Sequence, residues 1–109
     1  MSDPLAKLIT LTARLTQTPG ETDRLVIASG GIEFEGPFPM NAGDVFDFDD
    51  QDLVPFSGQL QLDLIAEHPG QQPANLGPVI IRADEQGRGE LTQQFRGSGA
   101  LYDLAYKVI

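Results

Sequence analysis

The densest chemistry in the chain is Asp44-Val45-Phe46-Asp47-Phe48-Asp49-Asp50-Gln51-Asp52, five carboxylates within nine residues. Hard divalent cations such as calcium take about six to eight oxygen ligands, and carboxylates at this density would supply most of them. The spacing departs from an EF-hand loop. Counted from Asp47, Asp52 stands where that loop needs a glycine, and Gly58 where it needs a bidentate glutamate. The other reading is a solvated acidic loop following a strand that ends in Phe46-Asp47-Phe48. Carboxylates about 5 Å apart repel by only about 1 kcal/mol in water, and by less in salt, so such a cluster persists without an ion. Both readings stay open, with Asp44, Asp47, Asp49, Asp50 and Asp52 as the candidate calcium ligands. No other cofactor is expected.

Catalytic groups are sparse. The one histidine, His68, precedes Pro69 in a turn-rich stretch, where a surface role is the simplest reading. Gly97-Ser98-Gly99 is shorter than a nucleophile elbow and comes before a strand. Gly87-Arg88-Gly89 lacks the length and the strand–helix setting of a phosphate-cradling loop. Any acidic domain offers pairs of carboxylates, but nothing singles out one pair for glycoside chemistry. The chain is therefore expected not to be an enzyme. Phe38 and Met40 alternate with Pro37 and Pro39. An exposed Phe-Pro-Met segment would anchor a partner; the alternative is a loop folded over one open end of the domain.

The elements that must hold these residues follow a period of two. Ile9, Leu11, Ala13 and Leu15 alternate with Thr10, Thr12, Arg14 and Thr16. Leu60, Leu62, Leu64 and Ala66 alternate with Gln59, Gln61, Asp63 and Glu67, with Ile65 the exception. Ala100, Tyr102, Leu104, Tyr106 and Val108 face away from Asp103 and Lys107. Each pattern describes a strand with one face on a core and one in water. Shorter runs at 25–28, 32–35, 45–48, 79–82 and 90–95 bring the total to about eight strands. Glycine and proline fall mainly between the runs. Pro37 and Pro39 mark 36–40 as an edge or a crossover loop, Gly30-Gly31 either join two strands or bulge one, and 84–89 reads as a hairpin loop. One helical turn is expected near Asp50 to Val54. The expected fold is all-β: a two-sheet antiparallel β-sandwich forming one domain over residues 1–109. A closed β-barrel is the alternative.

Charge is unevenly distributed. From Leu25 to Ile81 there is no lysine or arginine but nine carboxylates, so the whole formal charge of −9 belongs to the middle of the chain. A sequence pI near 4.2 argues against nucleic acid, which needs clustered bases for its phosphates. It favours a protein partner with a basic surface. No apolar stretch is long enough for a membrane span, and no signal peptide is visible, so the default expectation is a cytoplasmic location. With no cysteine, disulfides and thiolate chemistry are absent.

From Phe56 onward the residues resemble the second half of a C2-like β-sandwich domain. The pieces are Gly58-Gln-Leu60-Gln-Leu62-Asp-Leu64, then Leu76-Gly77-Pro-Val79-Ile-Ile81, Phe95-Arg-Gly97 and Ala100-Leu-Tyr102-Asp-Leu104-Ala-Tyr106-Lys-Val108. In calcium-binding members the loop after the alternating strand carries aspartates. Here that loop, Glu67 to Asn75, has a single carboxylate. The resemblance therefore implies the non-metal kind of C2-like sandwich. The expected function is a non-catalytic interaction or structural module that binds another protein or self-assembles, for instance through an edge strand. The alternative is calcium-dependent binding of lipid, carbohydrate or protein through 44–52.

Overall fold

In a computed structural model of the chain, residues 4–17, 20–29, 32–48, 53–67, 72–97 and 99–109 are described. They contain nine strands: β1 (Leu5–Leu15), β2 (Asp23–Ser29), β3 (Ile32–Met40), β4 (Val45–Asp47), β5 (Leu53–Pro55), β6 (Gln59–Glu67), β7 (Ala74–Arg82), β8 (Leu91–Gly97) and β9 (Ala100–Val108). A 3-10 turn, Ala83–Glu85, links β7 towards β8. The strands form two antiparallel sheets that do not close into a barrel, so of the two expected architectures the sandwich is the one found. The five-stranded sheet runs β4-β1-β9-β8, with β5 sharing the β4 side of β1. The four-stranded sheet runs β3-β2-β6-β7.

Along β6 and β9 the faces come out as the sequence predicts. Leu60, Leu62, Leu64 and Ala66 on β6, and Tyr102, Leu104, Tyr106 and Val108 on β9, are all buried between the sheets. Strand β1 differs. Its register against β9 shifts between Leu8 and Thr10 and again between Ala13 and Leu15. Each shift is a bulge, and a bulge moves every following side chain to the other face. The inward set is therefore Ala6, Leu8, Leu11 and Ala13, with Thr16 buried just beyond the strand, while Leu15 is 55% exposed.

Strand β3 carries the prolines and is an edge strand, which settles the choice between edge and crossover loop. Opposite Val26 of β2 it has two residues, Gly36 and Pro37, since Leu25 pairs with Phe38 and Ile27 with Glu35. Gly36 has φ +105°, and a Cβ there would lie 2.5 Å from the Leu25 carbonyl oxygen. Only glycine fits that bulge. Past it, Phe38 and Met40 turn inward and are 7% and 1% exposed. The expectation of an exposed Phe-Pro-Met anchor is corrected: the outward positions of this edge belong to the prolines, and the large side chains go to the core. Ser29 pairs with Ile32, so β2 and β3 are two strands.

The helical turn expected over 50–54 is corrected for its described part, since Leu53 and Val54 belong to β5. The remainder, with Asp49, Asp50, Asp52 and His68, lies outside the described residues.

Two contacts close the sides of the sandwich. At one side, Phe38 of β3 stacks on Phe46 of β4 at 4.2 Å, and Phe46 meets Phe48 edge-on at 5.1 Å. At the other, β7 and β8 touch backbone to backbone. A Cβ on Gly97 would sit 2.9 Å from the Leu76 Cα. Leu76 lies against Gly97, Gly77 against Arg96, and Ile80 against Gln93, so the two strands run antiparallel in step without a ladder between them. Pro78 has no N–H to offer such a ladder, and the Gln93 side chain takes the Ile80 carbonyl instead, Nε2 to O at 2.5 Å.

Candidate functional site

The acidic segment is only partly described. Asp44 closes the turn between β3 and β4: its Oδ2 accepts the Asn41 N–H at 2.8 Å, and its carbonyl accepts the Ala13 N–H at 2.9 Å. This local bond is what a short carboxylate contributes to a turn. Asp47 is exposed on β4, opposite Thr10. Among the described residues no three His, Cys, Asp or Glu side chains come close enough to hold a metal ion. Asp49, Asp50 and Asp52 are outside that set, so the full candidate cluster is not assembled on described residues.

The outer side of the five-stranded sheet carries the exposed large hydrophobics of the described residues. Residues facing each other across a ladder share a face, and four such rows can be followed outward. They are Ile109–Leu5–Pro55, then Lys107–Lys7–Leu53, then Asp103–Thr12–Val45, and Leu101–Leu15. The exposed large hydrophobics among the described residues, Leu15, Val45, Leu53 and Ile109, are 38–56% exposed and all stand on this face. Four bases lie on strands of the same sheet: Lys7, Arg14, Arg96 and Lys107. Arg14 Nε binds Asp103 Oδ2 at 2.7 Å. The stretch from Leu25 to Ile81 that lacks bases supplies the whole of β3 to β6, and all of β2 and β7 except their outermost residues.

A second feature was not visible in the sequence. Where β7 and β8 diverge from the Gly77–Gly97 contact, they leave an open polar cleft of about 440 Å³ lined by Gln59, Ile80, Arg82, Glu85 and Gln93. Its floor is a hydrogen-bond network. Gln93 Nε2 donates to the Ile80 carbonyl and to the Tyr106 hydroxyl at 2.8 Å. The Tyr106 hydroxyl donates to Glu85 Oε2 at 2.9 Å, and Glu85 Oε1 accepts the Arg82 backbone N–H at 2.8 Å. Burial and the Glu85 carboxylate push the Tyr106 phenol above its ordinary value, against the opposing pull of the Gln93 amide. The Arg82 guanidinium makes no ion pair among the described residues.

Asp23, also unforeseen, is 4% exposed at the start of β2. Its Oδ2 accepts the Tyr102 hydroxyl and the Gln17 N–H. Burial first, and Asp23 second, raise the Tyr102 phenol far above its ordinary value. Both partners are buried and mutually satisfied, which fits a tie between sheets better than a reactive pair.

No protein-family model matches the chain, and no curated protein matches its sequence. No described helix is long and apolar enough to cross a membrane.

Proposed function

We propose that the chain is a non-catalytic interaction module, of the C2-like kind, that docks a protein partner through the outer face of its five-stranded sheet. One observation carries this reading: Leu15, Val45, Leu53 and Ile109 all stand on that one face. Scattered single aliphatics need no explanation, but several on one sheet face among bases have the composition of a docking surface. Lys7, Arg14, Arg96 and Lys107 lie on strands of this sheet and the exposed carboxylates Asp44 and Asp47 flank Val45, so a partner with both signs of charge fits the rim. The molecule measures 45 × 25 × 21 Å, so a broad side offers roughly 1,000 Å², above the ~800 Å² per partner of a standard interface.

The test compares wild type with a Leu15→Glu, Val45→Glu variant, each immobilised and exposed at low salt to extract from the source cells. A stoichiometric protein held by wild type and lost from the variant, with melting temperatures equal, supports the reading. A partner retained by the variant places the interface elsewhere and overturns it.

A further inference from the structure

The geometry points to the cleft between β7 and β8 as a binding site for an uncharged polyhydroxy ligand of sugar size, separate from the proposed docking face. The walls carry the argument. Both N–H groups of Gln93 are occupied, by Ile80 and Tyr106, so Oε1 is what it has left for an incoming donor. Each oxygen of Glu85 already accepts one internal bond, which fixes the carboxylate and leaves it further lone pairs. Arg82 adds a fork of donors and Gln59, opposite it on β6, an amide that donates and accepts. Donors and acceptors thus meet in one concavity. A hydroxyl group, which donates one bond and accepts two, satisfies both kinds of wall at once.

Charge narrows the class further. Arg82 and Glu85 cancel within the cleft. An anion drawn to Arg82 would meet Glu85 and a chain of net charge −9. A cation drawn to Glu85 would meet Arg82. The neutral ligand meets neither penalty. Ile80 supplies the aliphatic wall against which the C–H face of a sugar ring packs, and about 440 Å³ lies within the range of small-molecule sites. Glu85 and Gln93 are held before any ligand arrives, so only Arg82 and Gln59 lose freedom on binding.

The experiment records 1H–15N spectra, including the side-chain amides of Gln59 and Gln93, during titration with glucose, galactose and mannose, and with glucuronate and glucosamine as charged counterparts. At least one neutral hexose is expected to shift those signals saturably, with a dissociation constant on the order of millimolar. The double variant Arg82→Ala, Gln59→Ala changes two exposed residues. It should melt as wild type does and bind about tenfold or more weakly. Any of three results overturns the inference: no saturable shift by any neutral hexose up to about 100 mM, equal binding by the double variant, or preference for a charged sugar. None of them bears on the docking face.

Discussion

The Tyr102 hydroxyl donates to Asp23 Oδ2 at 2.5 Å across the interior, joining β9 of one sheet to β2 of the other. Four residues along the same inward face of β9, the Tyr106 hydroxyl makes the second polar tie, to Glu85 and Gln93. Hydrocarbon packing between two sheets is non-directional. Two phenols bonded to specific partners fix how the layers sit on each other.

Replacing Tyr102 by Phe should lower stability by about 2 kcal/mol, because it leaves a buried carboxylate short of one donor. Urea unfolding would show a lower midpoint at unchanged m-value. Removing both partners (Asp23→Leu with Tyr102→Phe) should cost less than the two single losses added together. The same pair predicts alkaline behaviour. The folded Tyr102 phenol ionises far above the unfolded value of about 10, so its contribution is complete below that pH and is lost as pH rises past it. Wild type should lose stability above about pH 10 more steeply than Tyr102→Phe.

Gly36→Ala should cost about 3 kcal/mol or more, since it combines a positive φ with a Cβ driven into the Leu25 carbonyl. Gly87→Ala is the control. Its φ is also positive, but a Cβ there meets nothing within 4 Å, so about 1–2 kcal/mol is expected. Equal losses in thermal melts would show that the β3 bulge relaxes freely.

Millimolar calcium should leave the melting temperature unchanged if the chain works as proposed. A cation at 100 times its dissociation constant would add about 2.7 kcal/mol, several degrees for a domain of this size. Asp44→Ala should cost about 1 kcal/mol with or without calcium, because it removes the acceptor for the Asn41 N–H.

Asp103 is lifted by partial burial, but hydrogen bonds from Arg14 and Gln94, with the charges of Arg14 and Arg96, hold it below the ordinary carboxylate value. Its contribution is therefore present at neutral pH and lost as pH falls below about 4. Arg14 is 61% exposed, so Arg14→Gln should cost at most about 1 kcal/mol, shrinking with added salt. A loss that grows with salt would show that something other than the ion pair is involved.

The strands were legible because β6 and β9 keep an apolar residue at every second position, and a two-residue period points to extended backbone; the choice between sandwich and barrel came only with the strand order. The facing of Ile9 and Leu15 was not legible, because a bulge leaves no mark in a pattern of apolar and polar letters. Pro37 and Pro39 narrow 36–40 to an edge or a crossover loop, but whether Phe38 and Met40 point outward or into the core depends on the Gly36 bulge, which the letters do not show. Both polar ties were missed for one reason. Asp23, Glu85 and Gln93 acquire their roles from residues distant in sequence, and no local spacing announces a long-range partner. The cleft shares that origin, since Gln59 and Gln93 come together only once the sheets have stacked.

The ladder between β1 and β9 has a further consequence. The Leu5 N–H donates to the Ile109 carbonyl and the Ile109 N–H returns the bond, so one sheet is stitched from opposite ends of the described chain. During synthesis the strands β2, β3, β6 and β7 are all available before β8 and β9 have been made. The five-stranded layer must wait, and until then β1 has only the short strands β4 and β5 to shield it. Translation thus makes every strand of the four-stranded layer available before the five-stranded layer can be completed.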